Sequence, residues 1–280
     1  MTPPLSRIWL CADDYGISPG VNAAIRELIE RGRLNATSVM TAAPHIDAKE
    51  ASALNRLNAG GKRAALGLHV TLTAPFQPLS KNFAPLVNGH FLQLNSMMRA
   101  AVTRRLNRDR LMSEIATQVQ AFVAAFGRPP DFIDGHQHIH LFPQVRDAVL
   151  KVATEMAPRA WVRQCGRARS ARRLKGRKEL LLDILSVSFR RKARWAGVAV
   201  NPAFAGAYDF GGKTAFANIF PRFIAGLPDG GLIMCHPGFV DAELKRLDPL
   251  TGQREREFAY FNSEDFPGTL AEYGAALASP

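Results

Sequence analysis

Four potential metal ligands and proton carriers are spaced two residues apart within residues 132–142. They are Asp134, His136, His138 and His140. Successive side chains of a β-strand point to opposite faces, so a strand over this stretch would place all four on one face. Three imidazoles and a carboxylate make a poor core face, but they suit a site that holds a metal ion or moves protons. The spacing therefore predicts a strand that forms one wall of a polar site.

Three other strand-like runs end in residues of the same kind. Asp13 and Asp14 close the first run, His69 lies near the end of the third, and His236 closes a late one. In barrels and open α/β sheets, functional side chains collect at the carboxyl ends of the strands, so these residues are expected to meet His136 at one mouth. A single strand-end histidine is more often structural, and paired aspartates often form a capping turn. Their occurrence together at four strand ends favours a functional site.

Two imidazoles and one carboxylate form a site for a divalent cation with open positions. A second carboxylate beside a metal-bound water can act as general base, and a further histidine can protonate a leaving group. This set of groups can hydrolyse an unactivated amide or ester. Asp13 and Asp14 can serve one site only if the chain turns there, because neighbouring residues of a strand point in opposite directions, and Tyr15-Gly16 is the predicted turn.

Strand-like and helix-like runs alternate along the 280 residues. This alternation predicts an α/β fold with a mostly parallel sheet, and about six or seven strands suit an irregular or incomplete (β/α) TIM-like barrel in one domain, residues 1–280. The predicted strands are 7–12, 36–43, 64–73, 132–142, 160–165 and 231–236. The predicted helices are 19–31, 47–58, 108–126, 144–156, 178–195, 215–226 and 265–277. Residues 74–95, a candidate lid, and 199–213 are the predicted long loops.

The net charge of +12 comes almost entirely from residues 163–196, where twelve basic residues face two acidic ones. We considered a solvated loop and helix face, an anionic membrane surface and nucleic acid as explanations. Nucleic acid is the weakest of them, because neither aromatic interleaving nor a nucleic-acid motif accompanies the charge. The three cysteines lie in or near apolar strands, and the sequence has no run of 18 apolar residues and no signal-peptide core. These features predict a cytoplasmic protein, which would be peripheral to the inner membrane if the basic segment docks there.

Four ordered motifs of the sequence resemble those of the YdjC-like carbohydrate deacetylases, the ChbG/HpnK group. They are ADDYGISPGVN at 12–22, GLHVTLT at 67–73, DGHQHIH at 134–140 and MCHPG at 234–238. The resemblance covers about residues 7–275, although the basic segment 166–196 matches no motif. It implies a (β/α) barrel that removes acetyl groups from N-acetylated sugars with a divalent metal, most often Mg²⁺, with Zn²⁺ as the alternative. It also implies a possible homodimer, which nothing else in the chain indicates.

Carried over by position, the resemblance assigns roles to individual residues. Asp14, His69 and His136 resemble the metal ligands, Asp13 the general base, and His236 the acid or the partner of the oxyanion. Three further residues are predicted to bind substrate or to support the site: His138, His140 and Arg163.

Several functions remain open at this point. A soluble chito-oligosaccharide is the first substrate hypothesis, and a membrane-lipid-linked N-acetylglucosamine of the hopanoid glycolipid type, or another amide or ester, is the second. Two histidines and a carboxylate also describe non-haem iron oxygenases, but their usual β-sandwich disagrees with the alternating pattern. A non-enzymatic nucleic-acid binder would leave the strand-end residues unexplained. The choice of substrate depends on the loops 74–95 and 199–213.

Overall fold

A computed structural model describes residues 5–61, 63–168, 177–212 and 214–280 of the chain. Strands and helices alternate along it, as the sequence predicts. The strands are β1 (Ser6–Tyr15), β2 (Ala36–Val39), β3 (Ala65–Val70), β4 (Phe132–Gly135), β5 (Trp161–Val162), β6 (Phe204–Ala205), β7 (Leu232–Cys235) and β8 (Ala275–Leu277). The helices are α1 (Pro19–Glu30), α2 (Ala48–Leu57), α3 (Leu94–Val102), α4 (Arg108–Phe126), α5 (Val145–Met156), α6 (Arg177–Trp195), α7 (Phe216–Ile224), α8 (Ala242–Leu247), α9 (Gly252–Asn262) and α10 (Asp265–Glu272).

Seven parallel strands form a curled sheet in the order β5-β4-β3-β2-β1-β7-β6, and β8 pairs with the first half of β1. The sheet is an incomplete TIM-like barrel, which confirms the predicted fold class. Its two edge strands are joined by the side chain of Asn201, which exchanges hydrogen bonds with the backbone of Gln164 at 2.8 and 3.1 Å. Backbone hydrogen bonds from Val162 to Ala199 and from Phe204 to Gly166 add to this link. Because every strand runs the same way, all carboxyl ends open at one mouth.

The predicted histidine strand is wrong beyond Gly135. Strand β4 stops there, and residues His136–Leu141 form a short 3₁₀ helix. Gln137 and His138 have φ values of 55° and 60°, in the left-handed region, so the two-residue alternation of a strand no longer applies. The chain folds back closely: a Cβ on Gly135 would lie 2.9 Å from Nδ1 of His140, so only glycine fits at this position.

Several other predicted strands and helices differ from those in the structure. Strands β2 and β3 are shorter than predicted, and the last predicted helix ends at Glu272, after which β8 pairs with β1. Helices α3, α8 and α9 were not predicted. The start of α1 is confirmed in detail, because Ser18 accepts a hydrogen bond from the Val21 N–H at 3.3 Å and Pro19 occupies the first turn.

Within the described ranges, no helix is long and apolar enough to cross a membrane. Four basic residues of the segment 163–196 lie outside these ranges: Arg169, Arg172, Arg173 and Lys175. The remaining part of the segment consists of β5, the chain that follows it to Ala168, and α6.

Gly67 on β3 is predicted to be intolerant of any side chain. An alanine Cβ there would lie 2.3 Å from the ring of Phe132, which cannot retreat because it stacks on Trp161 at 4.5 Å between ring centroids. We expect Gly67→Ala to lower the free energy of unfolding by about 2 kcal/mol, the usual cost of overpacking. Gly268→Ala, in open space within α10, should instead raise it by about 0.5–1 kcal/mol. Urea unfolding measures both; equal midpoints for Gly67→Ala and the parent chain would contradict the packing argument.

Candidate active site

Three of the predicted ligands converge at the mouth of the sheet. Asp14 is the last residue but one of β1, His69 lies on β3, and His136 follows β4 directly. Nε2 of His69 and Nδ1 of His136 lie 3.3 and 3.0 Å from the same Oδ1 atom of Asp14. All three side chains are buried, and one ligand atom from each lies within 4.8 Å of the others. The sequence therefore identified a set of residues that the fold does bring together.

The two adjacent aspartates face the same site because β1 is irregular at this point. Asp14 has φ 69°, and the pairing of β1 with β2 changes register between Ala12 and Tyr15, with one extra residue in β1. Such a bulge re-aims the side chains of a strand, so both carboxylates reach the mouth. The predicted turn thus exists, but it lies within the strand at Asp14 and not at Tyr15-Gly16.

A buried arginine holds Asp13. Arg163 follows β5, is completely buried, and donates two hydrogen bonds of 2.7 Å to the two carboxylate oxygens of Asp13. Its Nη2 atom also lies 2.5 Å from Oδ2 of Asp134. Burial alone would raise the pKa of Asp13, but the guanidinium outweighs it and holds the pKa below its usual range. Asp13 is therefore ionised in the folded chain.

Asp134 connects this arginine to His69, one of the three candidate ligands. Oδ1 of Asp134 lies 2.6 Å from Nδ1 of His69, and the Ser38 hydroxyl lies 3.0 Å from the same nitrogen. Strands β3 and β4 pair with His69 opposite Asp134, so both side chains project from one face. A histidine held at Nδ1 by a carboxylate presents Nε2 to a metal, which is the arrangement found around many metal-ligating histidines.

The cluster carries more negative charge than its arginines neutralise. Three buried carboxylates, Asp13, Asp14 and Asp134, face two buried guanidiniums, Arg163 and Arg254. Burial acts to lower the pKa of His69, but Asp134 and Asp13 outweigh it and raise this pKa to about 10, so a proton supplies the missing positive charge. A cation at this point would supply the same charge. The donor set and the charge balance therefore both fit a divalent metal ion.

Sequence analysis missed two residues of α9 that complete the site. Nη2 of Arg254 donates to Oδ2 of Asp14 at 2.6 Å and is shared with Asp248. Glu257 accepts hydrogen bonds from the backbone N–H of His236 at 2.5 Å and from the hydroxyl of Tyr208 at 2.6 Å. Burial raises the pKa of Glu257 to about 7. In the sequence both lie within Arg254-Glu255-Arg256-Glu257, which is indistinguishable from a solvated, charge-paired helix.

His236 stands beside the aspartates. Ala12 pairs with Cys235 across β1 and β7, which puts Asp13 and His236 at neighbouring strand ends. Burial lowers the pKa of His236 to about 4, so its ring is neutral near pH 7. Among the described residues its Nδ1 atom has no hydrogen-bond partner.

His138, His140 and Arg163, the residues predicted to bind substrate or to support the site, lie in three different environments. His140 is completely buried, and its Nε2 donates to the carbonyl of Arg163 at 2.9 Å, so it supports the arginine. Arg163 itself presents no surface to the mouth. His138 packs edge-on against Phe204 and has Nδ1 3.5 Å from Sγ of Cys165. Cys165 and Phe204, the two residues that contact His138, both line a cavity.

That cavity, of about 240 Å³, opens beyond the ends of β5 and β6. Its lining is mostly apolar and includes Cys165, Phe204, Gly206, Tyr208 and Leu182. Both predicted specificity loops also reach the site with an aromatic ring. Phe76 of the loop 74–95 packs edge-on against His136, with ring centroids 5.7 Å apart, and Phe210 of the loop 199–213 packs against His236 at 5.4 Å.

A second group of possible metal ligands surrounds the guanidinium of Arg163. Cys11, Asp13 and Asp134 lie close enough to share an ion. Nη2 of Arg163 contacts all three, at 3.0 Å from the thiol of Cys11 and at 2.7 and 2.5 Å from the carboxylates. The guanidinium thus takes the place that a cation would occupy, which leaves Asp14, His69 and His136 as the candidate metal site among the described residues.

The sequence matches a known protein family over almost its whole length. The family model of the YdjC-like proteins matches residues 7–272. The chitooligosaccharide deacetylase of Serratia marcescens is 30% identical over 275 residues, covering 96% of this chain and 95% of the relative. The carbohydrate deacetylase of Clostridium beijerinckii is 26% identical over 271 residues, covering 90% and 94%.

A solved structure shares the fold. It is a candidate cellobiose-phosphate cleavage protein from Enterococcus faecalis V583, with a TM-score of 0.76 and 20% identity over 98% of this chain and 97% of that one. At this identity the likeness concerns the fold alone. The family match extends over nearly the whole sequence and includes every residue of the cluster. This chain belongs to the YdjC-like protein family, and it is a hydrolase of the deacetylase class.

Proposed function

We propose that this deacetylase hydrolyses the acetamide group of N-acetylated amino sugars, with chito-oligosaccharides as the first substrate class, to acetate and a free amine. One observation carries the proposal: the Asp14, His69 and His136 side chains converge beside an ionised Asp13 that Arg163 holds in place. The names of the two deacetylase relatives support the choice of sugar.

Asp14, His69 and His136 would hold a divalent cation at the mouth of the barrel. Such an ion polarises the carbonyl of an amide and lowers the pKa of a bound water. Two imidazoles and one carboxylate suit Zn²⁺ better than Mg²⁺, which prefers an all-oxygen shell. We therefore propose Zn²⁺ or a similar transition metal in preference to the Mg²⁺ that the resemblance implies.

Asp13 is the proposed general base. It is ionised, it lies next to the metal ligands, and its two hydrogen bonds to Arg163 fix its orientation. It takes a proton from the water that attacks the acetamide carbonyl. The carbonyl oxygen becomes negatively charged in this step.

His236 is the proposed hydrogen-bond donor to that oxygen. A neutral imidazole can donate one N–H hydrogen bond but has no second proton to release, so the oxyanion role fits better than the acid role. A bound cation nearby would lower its pKa further. The proton held by Asp13 is then the one available to the amine nitrogen when the C–N bond breaks.

A lipid-linked N-acetylglucosamine is the second candidate substrate. The mostly apolar cavity lined by Phe204 and Leu182 favours it, because such a lining suits the hydrocarbon part of a lipid. The two candidates share the reacting group and differ in what the sugar carries.

Acetate release from a substrate panel tests the proposed reaction. The panel contains N-acetylglucosamine, chito-oligosaccharides and an N-acetylglucosaminyl lipid, each with Mg²⁺, Zn²⁺, Co²⁺ or chelator. We expect metal-dependent release, lost in His136→Ala together with bound metal but retained in Asp229→Asn, which alters an exposed ion pair. Release that is insensitive to chelator, or unchanged in His136→Ala, would rule out the metal-based reaction. Metal binding without release from any sugar would rule out the proposed substrates.

Asp13→Asn should lower the rate of acetate release at least about 10²-fold, because an amide cannot accept the proton of water. The metal content should stay at the parent level, since Asp13 is not one of the three ligands. Asp229→Asn provides the control: it alters an Arg–Asp pair of the same kind, Arg7–Asp229, on the exposed surface. Full activity of Asp13→Asn with metal bound would refute the base assignment.

Arg163→Lys keeps the positive charge but cannot form two parallel hydrogen bonds to Asp13. We expect kcat to fall at least tenfold and the unfolding temperature to drop, because the carboxylates of Asp13 and Asp134 lose part of their compensation in a buried site. Arg7→Lys, in the exposed pair with Asp229, should change neither quantity. Parent values of both kcat and unfolding temperature in Arg163→Lys would show that the paired geometry is dispensable.

A further inference from the structure

Helix α6 exposes an unusual number of large apolar side chains. Among the described residues twelve large hydrophobic side chains are exposed, and five of these lie on this one helix: Leu180, Leu181, Ile184, Val187 and Trp195. Ile184 is 60% exposed and Trp195 is 75% exposed. Single exposed apolar residues are ordinary on a protein surface, but a contiguous group usually marks an interaction site.

These side chains form a continuous face. At about 100° per residue, the exposed residues of α6 between positions 179 and 195 fall within an arc of roughly 140°. The opposite side, with Leu182, Ser186, Phe189 and Ala193, is buried, and Phe189 packs edge-on against His140. The helix is therefore fixed to the barrel by one side and presents the other outward. We refer to the exposed residues Leu180, Leu181, Ile184, Val187, Arg191, Arg194 and Trp195 as the outer face.

The outer face carries only positive charge. Arg191 and Arg194 lie at its carboxyl-terminal end, and the guanidinium carbon of Arg191 lies 5.5 Å from the centroid of the Trp195 ring. Over residues 179–195 the two acidic side chains lie off this face, since Asp183 is buried against Arg167 and Glu179 lines the 240 Å³ cavity. Long basic side chains and tryptophan both favour the boundary between an apolar phase and water.

A basic cleft adjoins the same end of the helix. It has a volume of about 740 Å³ and is lined by Arg104, Arg108, Lys151, Lys192 and Trp195, among others, with Asp147 as its one acidic lining residue. Asp147 is paired with Lys192 at 2.8 Å. Trp195 thus belongs both to the outer face and to the cleft. The outer face is therefore continuous with a region whose basic side chains suit anionic groups.

We propose that the outer face of α6 docks on an anionic lipid bilayer, with the helix lying in the plane of the interface. The apolar side chains enter the acyl boundary, and Arg191, Arg194 and the basic cleft contact phosphate-bearing headgroups. A second copy of the chain fits less well, because two apposed faces would bury four arginines without an acidic partner on the face. Nucleic acid fits less well because aliphatic side chains make up most of the face.

Vesicle co-sedimentation of the full chain tests this docking independently of any deacetylase substrate. The vesicles are phosphatidylcholine alone, or phosphatidylcholine with about a third phosphatidylglycerol, at about 0.1 M and about 1 M salt. We expect binding to the anionic vesicles at low salt and at least tenfold weaker partitioning for Ile184→Gln/Val187→Gln. Arg191→Gln/Arg194→Gln should weaken partitioning about 30-fold, at roughly 1 kcal/mol for each basic residue near the surface.

Two double variants serve as matched controls. Val123→Gln/Tyr273→Gln changes exposed apolar residues elsewhere, and Lys49→Gln/Arg159→Gln removes the same charge elsewhere. Both should partition like the parent chain, and all variants should keep its unfolding temperature. Equal binding of the α6 variants and the controls, or no binding of the parent chain, would overturn the proposal. The proposal would also be overturned if the parent chain formed a dimer or bound RNA, but not vesicles, and if the α6 variants abolished that dimer or RNA binding.

Discussion

The pairing of Arg163 with two carboxylates is the interaction on which the rest of the site depends. Asp13 and Asp134 are almost completely buried, and a buried carboxylate is costly unless a charged partner and hydrogen bonds compensate it. The guanidinium of Arg163 contacts both of them, and the other carboxylate oxygen of Asp134 is hydrogen-bonded to His69. Asp13, His69 and the strands that carry them are thereby fixed relative to one another.

The sequence allowed the three candidate ligands to be grouped because parallel strands impose a simple geometry. Residues at the carboxyl ends of such strands must open at one mouth, so Asp14, His69 and His136 could be grouped without knowing the loops. The register of β3 against β4 then places His69 opposite Asp134. The fold class and the three-residue cluster follow from patterns that act within a single strand or between neighbours.

Residues that depend on local backbone reversals or distant helices could not be predicted. The histidines of 136–140 share a spacing of two, but left-handed φ values at Gln137 and His138 separate them. His136 joins the site, His138 packs against Phe204, and His140 is completely buried behind the site. Arg254 and Glu257 reach the site from α9, 240 and 21 residues away from their partners Asp14 and His236. Nothing in their immediate sequence distinguishes them from solvent-facing charges, since only the packing of α9 on the barrel buries them.

The segment 163–196 shows why net charge alone is an ambiguous guide to function. Arg163, at its start, is completely buried and balances carboxylates of the active site, whereas Arg191 and Arg194 near its end are exposed among apolar side chains. Both kinds of arginine contribute equally to the excess of +10 within the segment. Burial separates them: an arginine among carboxylates stabilises the site, and an arginine beside exposed leucine, isoleucine and tryptophan favours a boundary between water and lipid. The basic segment thus combines a support for Asp13, the proposed base, with the proposed docking surface, and the buried side of α6 joins the two through Phe189 and His140.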